Sequence, residues 1–199
     1  MGEHIESILE IAKKNNGVLT AEMVQESGIP NYYLSKLVKD GVLDKLSRGL
    51  YSTKETYVDE MYFLQAGYSN LIFSHLSALY IHYLTDRTPL KMTVTVPKDQ
   101  NVSKLIKSGL AVVHRSNASN HLLGVSEKRS PGGFLIKVYD KERTICDIVK
   151  ARDKMDSQVF TDAIKAYAKD KEKDLTKLME YAKILKVEKL VRQYMEVLL

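Results

Sequence analysis

The chain has 199 residues, 44% of them apolar, so a sizeable buried core is within reach and wholesale disorder is excluded. Thirty Lys and Arg against 25 Asp and Glu leave +5, a mild excess that suits a polyanionic partner without requiring one. The single cysteine, Cys146, excludes an intrachain disulfide and a Cys-rich zinc site, and no apolar run approaches the roughly 18 residues of a membrane span. The opening residues Met1-Gly2-Glu3-His4 are polar and begin an amphipathic pattern, unlike a signal or transit peptide, so the expected location is the cytoplasm.

Ile5, Ile8, Leu9 and Ala12 stand at helical spacing and predict a helix from about 3 to 14, stopped by Asn15-Asn16-Gly17. Val18-Leu19 reads as a short apolar link. Thr20 is a natural N-cap for a short helix, Ala21 to Glu26. After Ser27-Gly28, Pro30-Asn31 opens a third helix that runs to about Asp40. Its apolar stripe is Tyr33, Leu34, Leu37 and Val38. Gly41 is expected to end it in the left-handed conformation. Residues 42–46 read as a strand, Ser47-Arg48-Gly49 as a turn, and Leu50-Tyr51-Ser52 as the return strand.

The order helix, helix–turn–helix, hairpin is that of a winged helix-turn-helix, assigned to residues 1–54. The exposed face of its third helix carries Asn31, Tyr32, Ser35, Lys36 and Lys39. Such a face suits a major groove: Asn pairs bidentately with adenine, and Lys reaches guanine or phosphate. Lys45 and Arg48 on the hairpin are placed to reach phosphate or the neighbouring minor groove. The competing reading is a protein–protein module whose lysines are only solvated.

Residues 55–199 read as a second domain, a mixed sheet with helices to about 140 and all helix over 141–199. A helix is predicted over 56–68 on Val58, Met61, Tyr62 and Leu64. Another is capped by Ser74, with Leu76, Leu79, Tyr80, Tyr83 and Leu84 on one side. Lys91 to Val96 alternates as a strand, with Met92, Val94 and Val96 facing one way and Lys91, Thr93 and Thr95 the other. Asp99 is expected to cap a short helix bearing Lys104 and Lys107. Strands are predicted at 110–114, near 121–125 and at 134–139, the last two joined by Ser130-Pro131-Gly132-Gly133. Four apolar patterns beyond Glu142 predict an antiparallel helical bundle. The fold class is therefore α+β.

Charge is unevenly spread. Residues 87–129 hold eight bases and two acids. Arg87, Lys91, Lys104, Lys107 and Arg115 in this stretch are candidates for further phosphate contacts, unless they scatter over all faces as a solvated surface.

Signals for catalysis are sparse. The chain lacks a phosphate-binding Gly-rich loop, a nucleophile elbow and His-Glu-x-x-His. His75 and His82 are seven apart and read as a hydrogen-bonded pair rather than a metal site. Cys146 reads as a buried structural thiol. Glu-x-Lys and Asp-x-Lys, which place a metal and a lysine on a nuclease strand, are absent. The acid pairs Asp140/Glu142 and Asp170/Glu172 read as helix caps. Arg143 and Asp147 stand four apart and read as an intrahelical ion pair. No metal, cofactor or catalytic residue is expected.

The winged segment ending Ser47-Arg48-Gly49-Leu50-Tyr51 resembles the N-terminal domain of AbiEi-type antitoxins of type IV (abortive infection) toxin–antitoxin systems. The resemblance continues through Ser74-His75-Leu76-Ser77-Ala78-Leu79 and the strand Met92–Pro97. It extends to Glu142-Arg143-Thr144-Ile145-Cys146-Asp147 and the helical tail. It implies an N-terminal domain that binds inverted repeats in its own promoter and represses the operon. It also implies a C-terminal domain that neutralises a co-encoded nucleotidyltransferase toxin without a stable complex, in phage defence. Three functions stay open: this autoregulatory antitoxin, a ligand-responsive transcription factor with no toxin partner, and a DNA-directed enzyme. For the first, double-stranded DNA is the expected partner, with the protein monomeric when free and paired on DNA.

Overall fold

The computed structural model describes residues 2–47, 49–56, 59–68 and 70–198. The chain forms two compact units, Met1–Ser69 and Asn70–Leu199. Both mix helix with sheet, so the fold class is α+β, with two sheets among the described residues.

In the first unit α1 (Gly2–Lys14), β1 (Val18–Thr20), α2 (Ala21–Glu26) and α3 (Tyr32–Lys39) are followed by β2 (Leu43–Ser47), β3 (Leu50–Thr53) and α4 (Glu60–Ala66). The three strands are antiparallel in the order β1-β3-β2. Residues 18–19, expected as a link, belong to β1. Three residues are too few to show alternation, and the strand is fixed by a distant register, Val18 opposite Ser52 and Leu19 opposite Tyr51.

The apolar stripes converge on one core that includes Ile8, Ala12, Leu19, Val24, Leu34, Leu37 and Leu43. Thr20 caps α2, its hydroxyl accepting from the Met23 amide at 3.1 Å. Gly41 follows α3 at φ +70°, the left-handed turn an L side chain resists. The helix expected over 56–68 starts only at Glu60, where the Asp59 carboxylate accepts from the Tyr62 amide at 2.8 Å. Val58 lies outside the described residues.

The second unit begins where Leu71, Ile72 and Phe73 become fully buried, later than the 54/55 boundary read from the sequence. Its strands are β4 (Ile72–Phe73), β5 (Met92–Pro97), β6 (Ala111–Ser116), β7 (Val125–Arg129) and β8 (Leu135–Tyr139), in the order β6-β5-β4-β8-β7. The pairs β5–β6 and β4–β8 are parallel; β4–β5 and β7–β8 are antiparallel. Thr93 and Thr95, on the face of β5 opposite Val94 and Val96, are buried as well, so both faces of the strand are covered.

The connecting helices are α5 (His75–Ile81), α6 (Ser103–Ser108) and α7 (Ala118–His121). The helix bearing Lys104 and Lys107 has Val102, not Asp99, at its N-cap position. The strand expected near 121–125 begins only at Val125, because residues 118–121 form a short helix that Asn117 caps by accepting from the Asn120 amide at 3.1 Å. Tyr83 does not join the apolar side of its helix: α5 ends before it, its φ is +57°, and the ring is exposed.

The C-terminal part is α8 (Lys141–Ala151), a single 3-10 turn (Arg152–Lys154), α9 (Ser157–Lys169), α10 (Leu175–Ile184) and α11 (Glu188–Leu198). Ile145, Ile148, Val149, Phe160, Ile164, Leu178 and Val191 share one core with Leu79 of α5. Cys146 is among them, its thiol pushed up to about 12 by burial, which keeps it an unreactive packing group.

Candidate functional site

Two surfaces carry concentrated chemistry, one in each unit. In the first, α3 buries Leu34 and Leu37 and half-buries Tyr33 and Val38. That leaves Asn31, Tyr32, Ser35 and Lys39 exposed, with Lys36 half-buried on the flank. Tyr32 is 68% exposed and meets the Tyr33 ring edge-on at 5.6 Å. Asn31 stands at the N-cap position of α3, yet its side chain makes no capping hydrogen bond. It is available to another partner. Lys45 is exposed on β2, next to the hairpin turn; Arg48, expected at the tip of that turn, lies outside the described residues.

The basic candidates of the second unit separate. Lys91, Lys104 and Lys107 are exposed. Arg87 pairs with Asp156 at 3.6 Å, two well-solvated groups whose mutual attraction is small. Arg115 is engaged with its own chain: Nη1 lies 2.8 Å from the Lys98 carbonyl and 3.1 Å from that of Gln100. It clips the loop after β5 and is not a free phosphate ligand.

The second surface was not legible in the sequence. A polar cleft of ≈ 480 Å³ opens in the second unit, lined by side chains from β5, β6, α5, α8 and the turn after it. Its floor is a buried network. Arg143 is 3% exposed; its Nε donates to Asp147 Oδ1 at 3.1 Å, and Nη1 donates to the carbonyls of Asn120 at 2.6 Å and Leu123 at 2.9 Å. The guanidinium also lies 4.1 Å above the Tyr139 ring. The expected ion pair is therefore present, and the same arginine ties the α7 loop to α8. Asp147 Oδ2 is buried without a hydrogen-bond partner among the described residues. Burial raises the pKa of Asp147 more than Arg143 lowers it.

His75 and His82 do not pair. His82 Nε2 is 2.7 Å from the Tyr139 carbonyl, while His75 stacks on His114 with centroids 3.7 Å apart and planes 13° from parallel. His75 has φ +47°, outside helical geometry, so the seven-residue spacing does not translate into a shared face. Its pKa is pushed down to about 3, first by burial and then by His114 and Arg143. His114 is lowered too, by burial and by Lys154.

The acid pairs do more than cap. Asp140 does cap α8, accepting from the Arg143 amide at 2.8 Å. Glu142, however, is buried and accepts from the Tyr167 hydroxyl at 3.1 Å and the Asp174 amide at 3.2 Å. Asp170 and Glu172 bind Lys141 at 2.6 and 3.3 Å. Among the described residues no group of three His, Cys, Asp or Glu is placed to hold a metal ion. No helix among them is long and apolar enough to cross a membrane.

Residues 6–53 match the family model described as transcriptional regulator, AbiEi antitoxin. The match spans α1 to β3 and less than a third of the chain. No curated protein matches the chain. That family is regulatory, and the match supports an antitoxin and transcriptional-regulator role. Residues 6–53 are thus similar to the AbiEi-type antitoxin transcriptional regulators, the family whose resemblance the sequence carries.

Proposed function

We propose that residues 1–54 act as a winged helix-turn-helix and that the protein represses its own operon. In this reading α3 is the recognition helix: Asn31, Tyr32 and Ser35 meet base edges, Lys36 and Lys39 meet bases or phosphates, and Lys45 with Arg48 form the wing. Two copies sit cooperatively on inverted repeats, and the second unit counters a co-encoded nucleotidyltransferase toxin in the cytoplasm without a lasting complex. The observation that carries the reading is the polar and cationic outer face of α3 on a helix whose inner face is fully apolar, within the segment that matches a transcriptional regulator.

Fluorescence anisotropy on the upstream region of the gene, against a scrambled duplex at two salt concentrations, tests it. Tight, sequence-selective and cooperative binding is expected. Weak binding that is equal on both duplexes and lost at modest salt would sink the reading. The polar cleft favours a second reading, a ligand-responsive regulator with no toxin partner. Co-expression with the neighbouring toxin gene separates the two, since only an antitoxin restores growth.

A further inference from the structure

The cleft of the second unit has a charge and a shape that the regulatory role leaves unexplained. Five cationic side chains line it against two carboxylates. Of the cations, Arg143 is committed to Asp147 and to two carbonyls, and Arg115 to the loop after β5. Lys98, Lys150 and Lys154 are exposed and form no ion pair among the described residues. Three ammonium groups at one concavity raise each other's energy, and an anion relieves all three.

The cleft has a second, independent demand. Asp147 lines it, is 7% exposed, and keeps Oδ2 buried with no hydrogen-bond partner among the described residues. A buried carboxylate oxygen left bare is costly, and an N–H or O–H from a ligand satisfies it. Simple phosphate at neutral pH brings negative charge but a poor donor. The ligand therefore pairs an anionic end with an uncharged end bearing hydrogen-bond donors. The cleft is also lined by a flat aromatic surface, the stacked imidazoles of His75 and His114, with His114 half-exposed. Burial holds both rings toward the neutral form, which suits them to stack on a heteroaromatic ring. The ≈ 480 Å³ volume lies within the roughly 300–1,000 Å³ typical of small-ligand sites.

We propose that this cleft binds a nucleotide, its phosphates held by Lys98, Lys150 and Lys154 and an N–H of its base donated to Asp147 Oδ2. The assignment is independent of the DNA-binding reading, since every lining residue belongs to the second unit. It applies whether the protein is an antitoxin or a ligand-responsive regulator.

Isothermal titration calorimetry on the full chain tests it, with ATP, GTP, CTP and UTP as probes beside pyrophosphate and ribose 5-phosphate. At least one nucleotide is expected to bind about tenfold or more tightly than either fragment. Lys150→Ala with Lys154→Ala is expected to weaken that binding about tenfold or more, because each removes a charge-assisted contact. Lys165→Ala with Lys169→Ala removes the same charge from exposed positions of α9 and is expected to leave it unchanged. Asp147→Asn is expected to weaken the nucleotide and spare pyrophosphate. Should that variant melt early, the lysine pair, which is exposed, still decides. Pyrophosphate binding as tightly as every nucleotide overturns the proposal, as does equal loss in both lysine pairs or no binding by any probe.

Discussion

The two units solve opposite problems with the same kinds of residue. The first keeps its interior apolar and sets its hydrogen-bonding groups outside; Ser52 and Asp59 are its buried polar residues among those described. The second unit carries Glu142, Arg143, Thr144 and Asp147 consecutively or nearly so on one buried helix, with His75, His82 and His121 around them. A plain core lets the surface of α3 vary at little energetic cost. A buried polar network ties neighbouring segments into one arrangement and makes each member hard to replace. The first design suits a surface that reads a partner, and the second suits a shaped concavity.

The contrast breaks most sharply at Arg143. Arg143→Met leaves the Asp147 carboxylate and two carbonyls buried without their donor, and is expected to cost about 3–5 kcal/mol in urea-induced unfolding. Hydrogen exchange is expected to locate the loss within 70–199. Asp147→Leu added to Arg143→Met is expected to recover part of it, because the stranded charge is gone. A similar constraint sits opposite. Gly124 has φ +74°, and a Cβ there would lie 2.6 Å from Arg143 Cβ, so the α7 loop needs glycine to close on α8.

In the first unit the largest effect is of a different kind. Leu34 is fully buried, and Leu34→Ala is expected to cost about 2–5 kcal/mol through the cavity it leaves. DNA binding is expected to fall only as far as the unit unfolds. Operator affinity measured below and above the melting temperature of the variant checks this: a loss that persists when the variant is folded contradicts a purely packing role.

Those two residues also show how far the sequence could be read. Leu34 declares itself: it lies in a local stripe, and helical periodicity is a short-range signal. The hairpin after Gly41 is local in the same sense. The strand at Val18 was missed because its partner is β3, more than thirty residues away. The cleft was invisible for a stronger version of that reason. His75 and His114 meet only because the sheet brings α5 beside β6, and the spacing of the two residues along the chain does not announce it. Arg143 was half legible: its pairing with Asp147 follows from helical spacing, while its bonds to Asn120 and Leu123 depend on a turn that follows no periodic rule.

The histidines sharpen the comparison through pH. An unfolded histidine titrates near 6.5, and the folded values of His75, His82, His114 and His121 are all lowered, burial being the first cause of each. The unfolded chain therefore takes up protons that the folded second unit refuses. Stability is full above pH 6.5 and declines as pH falls below it. Between pH 7.5 and 5.5 His75 alone, with a native pKa of about 3, withdraws about 1.4 kcal/mol. Asp147 works the other way, since its raised pKa lets the native state bind a proton earlier, and it offsets part of the loss. All five groups lie in the second unit. Hydrogen exchange at the two pH values, corrected for intrinsic rates, is expected to show protection falling within 70–199 and holding within α1 to α3.

The smallest effect separates two residues of one motif. Thr20 and Asn31 both stand at N-cap positions, of α2 and α3. Thr20 accepts from the Met23 amide, whereas the Asn31 side chain makes no capping bond and its backbone is already helical, φ −59° and ψ −14°. Thr20→Ala is expected to cost about 1 kcal/mol of stability and to leave base preference unchanged. Asn31→Ala is expected to change stability by less than about 0.5 kcal/mol, as a surface substitution without a structural role. Because its side chain makes no capping bond, Asn31 at the start of α3 is free to pair with a base. Asn31→Ala is then expected to relax discrimination at one base pair by about 1–3 kcal/mol. Urea titration and competition anisotropy on single-base operator variants measure the two quantities separately. A destabilised Asn31→Ala protein with unchanged base preference would reverse the assignment, making Asn31 a cap and moving recognition to Ser35 and Lys39.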